Sequence, residues 1–200
     1  MKLSKWMCAV ALGFAVVGGP AEAKVVIDIV QSGDDVVATG SGALDLTDLT
    51  LAHTETGFGG VDANVAGIIV GSFPGATSLY TGLTGPVSFG TGDFFSSSSG
   101  SGDFLGVVGN SGSVLVIFVP DGYVSGSPLS GSSTYDGQTL ASLGLTRGTY
   151  VYTWGSGADA DSLTVKIGAA ATPEPATWAM MLLGFAGLGF ATRKSAALGA

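Results

Sequence analysis

GTYVYTWGSGADADSLTVKIG, residues 148–168, is the stretch that decides the fold class. In its first half Tyr150, Tyr152 and Trp154 alternate with Thr149, Val151 and Thr153. In its second half Leu163, Val165 and Ile167 alternate with Ser162, Thr164 and Lys166. A strand sends successive side chains to opposite faces, so each half carries one face fit for a core and one fit for water. GSGADAD between them has the length and the glycine–aspartate content of a hairpin loop. VLVIFV (114–119) differs in being apolar at every position, which predicts a strand covered on both faces and placed inside a sheet.

The same signature extends outward along the chain. Glycine, at 34 of 200 residues, cuts it into short runs rich in Val, Ile, Thr, Tyr and Phe. Such runs between turn residues are strand candidates. They are 24–31, 36–44, 48–54, 64–72, 77–83, 103–110 and 113–120, besides the final pair. No window sustains a helical period over ten residues, although 141–145 has the length of one helical turn. The fold class predicted is all-β, an antiparallel β-sandwich of jelly-roll or Greek-key-like wiring. GTGDFF (90–95) and GSGDFL (100–105) echo each other around the serine-rich SSSSGSG (96–102). Calcium-binding glycine–aspartate repeats place a residue between the second glycine and the aspartate. The echo therefore reads as two strand entries around a mobile loop.

Composition narrows the chemistry. The net charge is −8, and between residues 24 and 171 only Lys24, Arg147 and Lys166 oppose thirteen acids. Such a surface repels phosphate backbones, so no nucleic-acid partner is expected. The single cysteine, Cys8, lies in the first few residues, which leaves the body without thiol catalysis, thiolate metal ligands or disulfides. His53 is the one histidine, and no G-x-S-x-G elbow is present to pair with it. Zinc sites need more such ligands than one. The remaining candidates are carboxylates in turns: Asp34 with Asp35, and Asp159 with Asp161, the latter pair a weak calcium candidate. Aspartate is equally a turn former. Tyr150, Tyr152 and Trp154 read as core, with a sugar-stacking platform as the alternative. No cofactor is expected, and no catalytic residue is assigned.

The two ends read as targeting segments. Lys2 and Lys5, the apolar run 6–17 and Ala21-Glu22-Ala23 form the three parts of a secretory signal, with Ala21 and Ala23 at the −3 and −1 positions for signal peptidase. At the other end Pro173-Glu174-Pro175 precedes Trp178, Ala179 and an apolar run to residue 191, then Arg193 and Lys194. As a helix, 178–191 is about 21 Å long, short of the roughly 30 Å bilayer core. The basic pair stays cytoplasmic in such a span and the body outside. The prolines keep the preceding peptide extended and open to a protease. Three segments are expected: a signal helix over 1–23, a β-sandwich body over 24–171, and a sorting segment with a hydrophobic, transmembrane-like helix over 172–197.

Pro173, Glu174, Pro175, Trp178 and Ala179, the run MMLLGFAGLGFA and the closing Arg193 and Lys194 resemble the PEP-CTERM sorting signal in its PEPxxWA form. The end of the body, 148–168, also resembles that of some members. The resemblance implies a membrane-embedded exosortase as partner. It implies removal of the helix, with release of the body or its attachment to another surface component, in a Gram-negative bacterium that makes exopolysaccharide and biofilm. The function expected is that of an exported, non-enzymatic surface or matrix protein, structural or adhesive, passing through the inner membrane transiently. A carbohydrate-binding sandwich and a secreted hydrolase are the alternatives. The first needs an exposed aromatic patch, the second two carboxylates or His53 lining a pocket.

Overall fold

The computed structural model describes residues 24–109 and 114–168. The signal segment with Ala21 and Ala23, and the tail with Pro173, Glu174, Pro175, Trp178, Ala179, Arg193 and Lys194, lie outside the described residues.

Two sheets pack face to face. The first begins with β1 (Lys24–Ser32) and β2 (Asp35–Gly42), an antiparallel hairpin closed by Gly33 and Asp34. Gly33 adopts φ +62°, a left-handed conformation that glycine reaches without a Cβ penalty. Val25, Ile27 and Ile29 of β1 and Val36 and Ala38 of β2 are fully buried. Their alternation with exposed or half-buried neighbours sets the register, because a one-residue slip would turn that whole set to solvent. β13 (Asp161–Ile167) lies beside β1, and β12 (Gly148–Trp154) forms the outer strand. On the other flank β11 (Leu129–Tyr135) pairs with β2, and β8 (Ser99–Gly102) pairs with β11. The order is β12-β13-β1-β2-β11-β8.

The second sheet runs β3 (Thr50–Gly57), β6 (Gly75–Thr81), β10 (Leu115–Pro120), β9 (Leu105–Gly109), β5 (Gly67–Val70), β4 (Gly60–Asp62) and β7 (Phe95–Ser96). Ile27, Leu163 and Val165 of the first sheet meet Ile68, Leu105 and Ile117 of the second in one core. Each such side chain contributes about 1.5–3 kcal/mol relative to exposure. Gly40 sits on this inner face with the position of a Cβ only 2.9 Å from Leu105 Cδ1, so a larger residue there would push the sheets apart. β10 is the strand read from VLVIFV. Leu115, Ile117 and Val119 enter the main core, while Phe118 joins Ile69, Leu79 and Phe104 in a separate apolar cluster.

The all-β sandwich follows the sequence reading, with local corrections. β1 and β13 run parallel, the one departure from antiparallel pairing among the described strands, because the last strand is laid beside the first rather than hairpinned to it. SSSSGSG is not a mobile loop: Ser96 ends β7, the amides of Ser97 and Ser98 donate to Gly59 O and Thr134 O, and residues 99–102 form β8, held by backbone pairing to β11 although no side chain of β8 is buried. The run 64–72 is a strand only from Gly67 to Val70, and Ala66 at φ +49° makes the turn before it. The single turn read at 141–145 is present. Leu143 N donates to Thr139 O, Leu145 N donates to Leu140 O, and Gly144 at φ +64° ends it.

Candidate functional site

The C-terminal hairpin gathers three of the predicted features. Tyr152 and Trp154 are buried, and Tyr150 packs edge-on against Phe89 at 4.8 Å between ring centres. The sugar-stacking platform is therefore corrected: the aromatic face is core. Trp154 Nε1 donates to Asp45 O at 2.7 Å, which ties the hairpin to the loop after β2.

Asp161 makes the reverse tie. It is 6 % exposed. One carboxylate oxygen accepts from Asp45 N and the other from Ser162 N, both at 2.6 Å. Burial pushes its pKa above the ordinary carboxylate value despite those two bonds. Asp45 moves the other way, lowered chiefly by the hydroxyl of Thr47. Asp159 is exposed on the short 3-10 turn Gly157–Asp159 of the hairpin loop. Among the described residues no three His, Cys, Asp or Glu side chains converge to hold a metal ion. Asp161 thus ties the start of β13 to the loop after β2, and among the described residues no third His, Cys, Asp or Glu side chain joins Asp159 and Asp161. Tyr123 closes the same end of the sandwich: its hydroxyl accepts from Leu44 N at 2.9 Å and lies 2.7 Å from the acceptor Ser127 O.

The other polar candidates are separate from this cluster. Asp35 accepts from Gly137 N at 2.8 Å, a loop contact, as expected of a turn aspartate. His53 and Glu55 stand exposed on β3 with 3.3 Å between Nε2 and Oε2.

The sequence reading missed a hydroxyl-bearing sheet face. Thr39 and Ser41 of β2, Ser130 and Ser132 of β11 and Ser101 of β8 line a groove of about 330 Å³, floored by Gly40, Gly102 and Gly131. Register builds it: Thr39 lies opposite Ser132, Ser132 opposite Ser101, and Ser41 opposite Ser130. Neighbouring strands are about 4.8 Å apart, so the hydroxyls form a two-dimensional array. Ser101 and Ser132 are bonded at 2.9 Å. The row through Thr39 continues across the sheet through Asp28 and Lys166 to Thr149. Such a surface offers donors and acceptors in alternation and little charge. The available signal was the period-2 pattern of LSGSSTY, where Leu129, Gly131, Ser133 and Tyr135 are buried. Small inward residues hide that pattern from a reading based on apolar alternation.

Residues 171–195 match the family model described as the PEP-CTERM protein-sorting motif. The chain carries a PEP-CTERM motif. The motif marks an exported protein that is sorted through an exosortase, a membrane protein, to the cell surface. No curated protein and no solved structure matches the chain. The PEP-CTERM match covers the tail alone, so it speaks to the address of the body and not to its activity.

Proposed function

We propose that the body is a non-enzymatic structural or adhesive component of the cell-surface matrix, delivered by signal peptidase cleavage after Ala23 and by exosortase processing of the tail in a Gram-negative bacterium. The tail, in this reading, holds the precursor transiently in the inner membrane. The observation that carries the reading is the hydroxyl array of Thr39, Ser41, Ser101, Ser130 and Ser132 on a sheet face of low charge. Hydroxyls at regular sheet spacing suit an extended neutral or weakly acidic polysaccharide, whose own hydroxyls alternate as donors and acceptors. Exopolysaccharide is the partner this chemistry favours, and biofilm its setting.

Affinity electrophoresis of the exported protein through gels holding exopolysaccharide from the producing cells tests it. Retention is expected, and Ser132→Glu, which sets a bulky charge in the centre of the groove, is expected to lower it several-fold. Equal mobility of both proteins with and without polysaccharide refutes the reading.

A further inference from the structure

We propose that β3 is an assembly edge, at which a second copy of this chain pairs antiparallel with the first about a twofold axis through Thr54. A sandwich has four sheet edges, and three of them here are short or covered. β12 is capped by Thr84, which exchanges two backbone hydrogen bonds of 2.9 Å with Thr153. β8 has four residues, and its Gly102 O accepts from Ser72 N. β7 has two residues. β3 has eight, and among the described residues its only strand partner is β6. Residues 50–56 are all exposed, so the strand is open on both faces as well as along its outer edge. A strand so placed presents a row of unpaired N–H and C=O groups.

The sequence of β3 favours a copy of itself as the occupant. In an antiparallel pair centred on Thr54, His53 of each copy lies opposite Glu55 of the other, on the same face. The 3.3 Å approach of these two groups within one strand shows that imidazole and carboxylate reach each other at this spacing. The start of one strand also meets the end of the other. That brings exposed Leu51, at 52 %, to the end bearing Gly57 and Phe58, the latter at 65 %. No lysine or proline guards the strand, and its pairing with β6 is regular from His53 to Gly57, the half centred near Thr54. Both copies are net-negative, and the His53–Glu55 pairs supply the local complementarity that offsets this repulsion in the proposed register. The contact is isologous and closes as a dimer, not a fibre.

Cysteine cross-linking in the cell envelope tests the register, using the full chain with Cys8→Ser as background. Across a strand pair the two Thr54 Cα atoms lie about 4.5–5.5 Å apart, within disulfide reach. The two Thr56 positions are four residues out of register, about 13 Å apart and beyond reach. Thr54→Cys is expected to give a disulfide dimer under mild oxidant and Thr56→Cys almost none. Adding Glu55→Lys to Thr54→Cys is expected to reduce the dimer several-fold. No dimer at Thr54, equal yields at both positions, or indifference to Glu55→Lys overturns the proposal. Hydrogen exchange on the unaltered exported protein gives an independent readout. Amides 52–56 should gain protection as concentration rises, and concentration-independent exchange there overturns the proposal too.

Discussion

Tyr152→Phe is expected to stabilise the protein, against the usual direction for a core substitution. The Tyr152 ring is fully buried between Phe89, at 6.5 Å and edge-on, and the backbone at Gly85. Its hydroxyl is buried and finds no hydrogen-bond partner among the described residues. In the unfolded chain that hydroxyl is hydrated, so folding strips its water and returns nothing, a cost of about 1–3 kcal/mol. Phenylalanine keeps the ring and its contacts. It leaves a void no larger than about 10–15 Å³, worth about 0.3 kcal/mol at about 24 cal/mol per Å³. The balance favours the variant by about 1–2 kcal/mol, or about 2–8 °C in Tm for a body of this size. Urea denaturation followed by circular dichroism should show a higher midpoint with an unchanged slope. A loss of more than about 0.5 kcal/mol would mean that the hydroxyl is satisfied in the folded protein, by an internal water, and would refute the reasoning.

Two further expectations follow from the same structure and a third from the matched tail. Asp161→Ala leaves the N–H groups of Asp45 and Ser162 without their acceptor and should cost about 2 kcal/mol. Because burial raises the Asp161 pKa, its contribution is fullest below the unfolded carboxyl value near 4 and falls as pH rises through the folded value, so the measured loss should be larger in acid than at neutral pH. Equal losses across that range would contradict the assignment. Burial also raises the phenols of Tyr123, Tyr135 and Tyr152. Folding stability should therefore hold up to about pH 10 and fall above it, with Tyr135 and Tyr152 ionising only as the protein unfolds. Ultraviolet titration showing every tyrosine ionising reversibly near pH 10 in the folded protein would contradict this. Glu174→Ala should leave an uncut precursor in the membrane fraction; C-terminal mapping that finds normal processing would show that the enzyme does not read this residue.

What the sequence disclosed depended on how much apolar contrast each strand carried. β12 and β13 alternate large side chains with polar or smaller ones, β1 carries its Val/Ile row beside Asp28, β10 is a continuous apolar run, and all four were legible close to their true bounds. β11 buries Gly131 and Ser133 between Leu129 and Tyr135, so its inward face is half small residues and reads as a loop. β8 buries nothing and exists through backbone pairing alone, which no side-chain pattern can announce. The groove lies across these two strands and β2, so it was hidden with them. The aromatic face of β12 was legible as core from its spacing. The partners of Asp161 were not, since Asp45 is over a hundred residues away in the chain.

The parallel pairing of β1 and β13 decides how body and address are arranged. Lys24 opens β1 opposite Ser162, near the start of β13, while Ile167 closes β13 opposite Ile29. Two parallel strands begin at the same pole, so the chain enters the body at one pole and leaves it at the other. The entry pole holds the staples: Trp154 and Asp161 to Asp45, and Tyr123 to Leu44. The exit pole holds the Gly33 turn and the 140–145 turn, joined through Gln31, whose amide oxygen accepts from Leu140 N and whose amide nitrogen donates to Gln138 O. Gly168 N donates to Ile29 O there, and the PEP-CTERM match begins three residues later. The described chain therefore leaves the body at the Gly33 pole. The hydroxyl groove lies on the outer flank of the first sheet, in the half nearer the entry pole, where Ser41 stands opposite Val26 of β1 and away from the Gly33 turn.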